Sequence, residues 1–163
     1  MTDDFAAFVK EVQPRMHNLG LALAGGNVHE AEDLVQASLE RIYRRWGKVQ
    51  IEAPLAYARA VLTREFISSR RRMRWARERL SSQPPEQQTA DFSQSSDESA
   101  VLLHALSTLP RRQREVVVLR YLEDLSVSEV ASLLSCSEGT VKRSAYDGLA
   151  SLRRTTALLG ERT

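Results

Sequence analysis

The stretch Leu125-Ser-Val-Ser-Glu-Val-Ala-Ser-Leu-Leu-Ser-Cys-Ser-Glu-Gly-Thr-Val-Lys142 decides how this chain is read. Ser126 followed by Glu129 has the spacing of a capping box, in which a serine hydroxyl takes up an orphan backbone N–H, and it opens a short helix expected through Leu134. Ser135-Cys136-Ser137 reads as a turn, with Ser137 capping a last helix that runs to about Leu159. Two helices joined this tightly form a helix-turn-helix. Ala131 is small where the helices cross, Val130, Leu133 and Leu134 face inward, and Val141 anchors the second helix. Thr140, Lys142 and Arg143 then point outward, where a major groove needs side chains that bond guanine edges or phosphates. The free N–H groups near Ser137 and Glu138 can hold a phosphate. Ser135 stands where such a turn usually has glycine, a modest strain.

Upstream, Val101, Leu102, Ala105, Leu106 and Leu109 recur at helical spacing until Pro110. A helix carrying Val116, Val117, Leu119, Arg120 and Tyr121 follows. From Ser81 to Ser99 the composition turns to Ser, Gln, Pro, Asp and Glu, with Pro84-Pro85 barring a helix and little apolar except Phe92, which predicts a flexible acidic linker. Before it, Phe5, Phe8, Val9, Val12, Met16, Leu19 and Leu23 mark a first helix over about Asp3–Ala24, stopped by Gly25 and Gly26. Asn27 with Glu30 caps a second helix, whose stripe of Ala31, Leu34, Val35, Leu39, Ile42, Tyr43 and Trp46 ends near Gly47. Pro54 suits the first turn of a third helix, with Leu55, Ala58, Val61, Leu62 and Phe66 on its buried side, continuing to about Arg79. No strand pattern or internal repeat competes. The expected fold is all-α: a helical domain over 1–80, a linker over 81–98 and a helix-turn-helix domain over 99–163.

Charge is distributed unevenly. The net charge is +2, yet residues 41 to 79 carry 12 basic and 3 acidic side chains, while residues 80 to 110 carry no basic and 4 acidic ones. Arg70-Arg71-Arg72 followed by Arg74, Arg77 and Arg79 is the footprint of contact with a polyanion. One cysteine, Cys136, forms no internal disulfide, and the small residue suits a buried turn better than a redox switch. His17, His29 and His104 lack metal-site spacing, so no metal and no cofactor are expected. Acids at Asp3 and Asp4 replace the basic start of a signal peptide, and no run approaches a membrane span, so a cytoplasmic location is expected.

With these elements in order, the chain resembles the extracytoplasmic-function class of bacterial sigma factors, and within it the SigE-type branch. The resemblance rests on Ala31-Glu-Asp-Leu-Val-Gln-Ala-Ser-Leu-Glu-Arg-Ile-Tyr43 in the first half. In the second half it rests on Leu106-Ser-Thr-Leu-Pro-Arg-Arg-Gln-Arg-Glu-Val-Val-Val-Leu-Arg-Tyr121 and Ser137-Glu-Gly-Thr-Val-Lys142. Pro54-Leu-Ala-Tyr-Ala-Arg-Ala-Val-Leu62 and Ile67-Ser-Ser-Arg-Arg-Arg72 carry the likeness to that branch.

The resemblance implies a subunit that binds core RNA polymerase, recognises the minus-10 and minus-35 promoter elements, promotes melting and leaves catalysis to the polymerase. It implies that Asp33, Gln36 and Glu40 grip the polymerase. It implies that the loop from Gly47 to Ala53 and the third helix meet the minus-10 strand, through Arg59, Arg64, Arg70, Arg71, Arg72, Arg74 and Trp75. Trp46 and Tyr57 lie near that set but suit a core better than a stacking role. Around the helix-turn-helix it implies that Arg112, Arg114, Ser137, Glu138, Thr140, Lys142, Arg143 and Tyr146 contact minus-35 duplex, with Arg112 and Arg114 as phosphate clamps. An anti-sigma partner is a family habit. Where relatives carry arginine this chain has Asp147, an acid placed to repel phosphate or to pair with Arg143 one turn away.

A freestanding helix-turn-helix regulator would explain the second half alone, but such proteins usually carry a receiver or ligand domain, and the first half has no strands. An enzyme acting on nucleic acid would need paired carboxylates, a metal cluster or a phosphate loop. Glu30, Glu32 and Asp33 share a helix without such partners.

Overall fold

The computed structural model describes residues 2–80 and 97–160, and the order of elements is α1 (Thr2–Leu23), α2 (Val28–Arg44), α3 (Pro54–Leu80), α4 (Asp97–Thr108), α5 (Arg111–Val117), α6 (Val127–Leu134) and α7 (Glu138–Gly160). A π-helical turn over Val118–Leu122 continues α5. The protein is all-α. Most of the expected linker lies outside the described residues. Its last residues, Asp97 to Ser99, begin α4 instead, where acids suit the positive end of a helix. The described residues form two compact units, residues 2–20 with 29–80 and residues 21–28 with 97–160.

In the first unit most of the sequence stripes become the core, although Tyr43 of the α2 stripe is exposed and Leu39 and Leu55 are half-buried. Phe8, Val12, Met16 and Leu19 of α1 are buried, as are Ala31, Leu34, Val35 and Ile42 of α2 and Ala58, Val61, Leu62, Phe66 and Ile67 of α3. α1 passes through Pro14, which faces solvent, and ends where Gly25 and Gly26 take left-handed φ of 64° and 85°. α2 stops two residues before Trp46, because the N–H groups of Arg45 and Trp46 bond back only three residues and Gly47 then turns left-handed at φ 81°. Trp46 is half-buried, its ring 5.1 Å from those of both Phe5 and Phe8, while Tyr43 meets Phe5 at 4.9 Å. That contact places Trp46 against α1.

In the second unit Leu103, Ala105, Leu106 and Leu109 of α4 are buried together with Val116 to Leu119, Val130, Ala131, Leu134, Val141, Ala145 and Leu152. α5 and α7 pack closely, so that a methyl group on Gly148 would stand 2.7 Å from Cγ2 of Val117. Ser126 caps α6, its hydroxyl accepting from the Glu129 N–H at 3.0 Å. α6 ends as expected on a strained residue: Ser135 is left-handed (φ 53°, ψ 48°), and the Cys136 N–H donates back to the Ala131 carbonyl at 3.0 Å. Leu133 is half-buried rather than buried.

Candidate nucleic-acid interface

On α2 the buried stripe forces the other face outward. Asp33, Gln36 and Glu40 are exposed, and at about 100° per residue they lie within about 60° of one another. They form one polar ridge, and Ser38 between them is buried with its hydroxyl donating to the Leu34 carbonyl at 2.6 Å.

On α3 the seven residues expected to meet the minus-10 strand do not form one face. Arg64, Arg71 and Trp75 are exposed and fall within about 40° of one another, with Arg74 beside them. Trp75 is 60% exposed, and the Arg79 guanidinium lies over its ring at 4.2 Å, so a cation and a π-face are presented together. Arg59 and Arg70 are half-buried on the far side of the helix, with Arg70 5.7 Å from the centroid of Phe66. Arg72 is tied down. Its Nη2 is 3.1 Å from Oε1 of Glu65, whose side chain is 7% exposed, and Nη2 of Arg41 on α2 is 3.2 Å from Oε2 of the same carboxylate. Sequence reasoning did not find this pair of arginines around one acid. Glu65 is the lone acid between Arg59 and Arg74, and its spacing of two helical turns from Arg72 was the available signal.

On α7 the residues expected to meet duplex DNA are exposed. Ser137 caps the helix, its hydroxyl accepting from the Thr140 N–H at 3.1 Å and meeting the Thr140 hydroxyl at 2.9 Å. Ser137, Glu138, Thr140, Lys142, Arg143 and Tyr146 are all exposed, Tyr146 at 76%, behind buried Val141 and Ala145. Arg143 pairs with Asp147, as the spacing expects, at 4.0 Å. Arg112 and Arg114 are half-buried on α5, and Arg112 donates from Nη1 to the Leu134 carbonyl at 3.2 Å, holding the end of α6. Arg120, which the sequence did not single out for a role, donates to the Leu125 carbonyl at 2.7 Å and fixes the entry to α6. These two arginines brace α6, the first helix of the helix-turn-helix, from both ends. Cys136 is half-buried in the turn.

Among the described residues no group of His, Cys, Asp and Glu could hold a metal ion, and no helix is long and apolar enough to cross a membrane.

Residues 8–76 match the family described as sigma-70 region 2, and residues 99–152 match sigma-70, region 4. The RNA polymerase sigma-E factor of Streptomyces antibioticus is 37% identical over 128 residues, spanning 76% of this chain and 69% of its own length. The ECF RNA polymerase sigma factor SigL of Mycobacterium tuberculosis is 31% identical, spanning 83% of this chain and 79% of its own. Among solved structures, the sigma factor RpoE of Bartonella quintana, seen with the anti-sigma factor NepR, has the same fold: TM-score 0.61 at 23% identity, covering 93% of this chain and 96% of that one. The region 2 match falls on the half of the chain that a freestanding regulator would leave unexplained. The chain belongs to the extracytoplasmic-function sigma factors, and it acts in promoter recognition and transcription initiation.

Proposed function

We propose that two domains divide the work of this sigma factor, the domain at 1–80 binding core polymerase and the minus-10 strand and the domain at 99–163 reading minus-35 duplex. Two observations carry the division: the capped, exposed polar face of α7 in one unit, and an exposed strip of arginine and tryptophan on α3 in the other. A helix N-terminus with outward Thr140, Lys142, Arg143 and Tyr146 suits a major groove. Arg64, Arg71, Arg74 and Trp75 suit an unstacked strand, with phosphate contacts from the guanidiniums and a ring on which bases stack. Arg59 and Arg70, being half-buried, contribute to that strand less directly, and Arg112 and Arg114 support the duplex reader from α5.

The ridge of Asp33, Gln36 and Glu40 is the polymerase contact in this reading, and the chain supplies no chemistry of its own. It works in the cytoplasm, where the polymerase is. An anti-sigma partner follows by analogy with the Bartonella protein, which is seen bound to NepR. Co-purification with bacterial core polymerase, then run-off transcription on fragments of the source genome with and without Asp33→Ala, tests the whole reading. Start sites that need the intact protein, sharing two upstream elements at common spacing, are the expected result. A protein that ignores core polymerase yet binds duplex DNA alone would instead be a freestanding regulator.

A further inference from the structure

The two arginines that converge on Glu65 form more than a tie between helices. Arg41 approaches one carboxylate oxygen and Arg72 the other, each through a single Nη2 atom at 3.2 and 3.1 Å. The acid is buried and the arginines are not: their side chains are 55% and 64% exposed against 7% for Glu65. A guanidinium has five N–H donors in a fixed fork, so each arginine keeps most of its donors after meeting the acid. One negative charge faces two positive ones, leaving the cluster with a surplus of one positive charge. Two forks held side by side by a buried acid are pre-ordered for a second oxyanion, and pre-ordering lowers the entropic cost of binding one.

We propose that Arg41 and Arg72, positioned by Glu65, form a notch for one backbone phosphate of the melted DNA strand. The inference rests on the reading of α3 as the strand-binding helix. Arg72 lies about 60–100° around α3 from Arg64, Arg71 and Trp75, on the flank that Glu65 shares, so a strand stacked on that strip would leave it over the notch. The notch binds phosphate and sugar rather than base, so it adds affinity at every sequence. Arg41 thereby brings α2 into DNA contact, and Glu65 is a positioning residue, too buried to meet the strand itself.

The test uses the full chain assembled with saturating core polymerase, titrated with fluorescent oligothymidylate and with a mixed-sequence strand over a salt series, core alone being subtracted. Arg41→Gln is expected to weaken both strands about four-fold at 0.15 M salt and to lower the salt slope by about 0.7, the loss of one phosphate contact. In a Glu65→Gln background the same substitution is expected to cost less than about two-fold, because an unplaced fork has less to lose. A melting shift from Arg41→Gln with the slope intact makes the cluster a structural tie only and overturns the notch. Weaker assembly with core, at unchanged DNA affinity of the assembled complex, makes Arg41 a polymerase contact and overturns it too. Arg64→Gln and Arg71→Gln separate the two levels. If they weaken strand binding and Arg41→Gln does not, the notch fails alone; if none of the three matters, the assignment of α3 fails with it.

Discussion

Nε of Arg143 lies 4.0 Å from Oδ2 of Asp147, one turn further along α7, with both side chains open to solvent. The pair is too open to matter for stability, since exposed pairs of this kind contribute little. In the proposed reading its place is on the binding surface. If α7 reads duplex DNA as proposed, Asp147 steadies the guanidinium of Arg143 and at the same time repels phosphates, which would favour the right sequence over DNA in general. Arg143→Ala is expected to cost about 1–3 kcal/mol on a cognate minus-35 duplex and to relax the preference at one base position. Asp147→Asn is expected to tighten binding to unrelated duplex and steepen its salt dependence. Fluorescence anisotropy on cognate and scrambled duplexes checks both, and an unchanged specificity ratio for Asp147→Asn would refute the role given to the acid.

Arg112 makes the opposite case. Its Nη1 donates to the Leu134 carbonyl, one of the last carbonyls of α6, which have no partner within the helix. Arg112→Gln is therefore expected to lower the stability of the second unit by about 1–2 kcal/mol in urea denaturation, leaving the salt slope of duplex binding alone. Lys142→Ala should do the reverse, dropping the slope by about 0.9 at unchanged stability. A fall in slope for Arg112→Gln equal to that for Lys142→Ala would show that the guanidinium leaves the carbonyl for a phosphate.

The contrast between these residues explains how much of the molecule could be read in advance. Ser126, Ser137, Gly25 and Gly26 act on backbone groups within a few residues, so their spacing announces what they do. Thr140, Lys142, Arg143 and Tyr146 were legible because the helical period that buries Val141 and Ala145 leaves them outside. Arg112 reaches a carbonyl 22 residues away, and Arg41 meets an acid on another helix. Such pairings depend on how helices cross, which periodicity does not encode. The run of arginines on α3 shows the same limit. Composition raised the expectation of a polyanion contact, but only the helix phase separates exposed Arg64 and Arg71 from half-buried Arg59 and Arg70. The π-helical turn at Val118–Leu122 had no sequence signal at all.

Asp33 stands on an exposed ridge with its neighbours Leu34 and Val35 in the core, so its removal should be felt by a partner rather than by the fold. Asp33→Ala is expected to change stability by no more than about 0.5 kcal/mol. Losing a charged hydrogen-bond partner at an interface costs about 1.5–3 kcal/mol, so affinity for core polymerase should fall at least about ten-fold. Pull-down titration against purified core reads the loss, and duplex binding by the isolated chain should be unmoved. Equal loss in both assays would mean unfolding.

Two glycines of α7 should respond to alanine with opposite signs. In a helix, glycine to alanine is worth up to about 1 kcal/mol where space allows. At Gly139 the new methyl group would have the Ser137 hydroxyl 3.8 Å away as its nearest neighbour, so Gly139→Ala is expected to stabilise the second unit by a few tenths of a kcal/mol up to about 1. At Gly148 it would stand 2.7 Å from Cγ2 of Val117 and 3.4 Å from Cβ of Gln113. Val117 is only 4% exposed and sits in a packed core, so it has nowhere to retreat and α5 must move instead. Overpacking of that kind costs about 1–3 kcal/mol, which exceeds the gain in helix propensity. Gly148→Ala should therefore lower the urea midpoint of the second unit while Gly139→Ala raises it. The displaced α5 carries Arg112, so Gly148→Ala should also loosen the end of α6 and weaken duplex binding without altering its salt slope. A stabilised Gly148→Ala variant would mean that α5 and α7 do not pack this closely in solution.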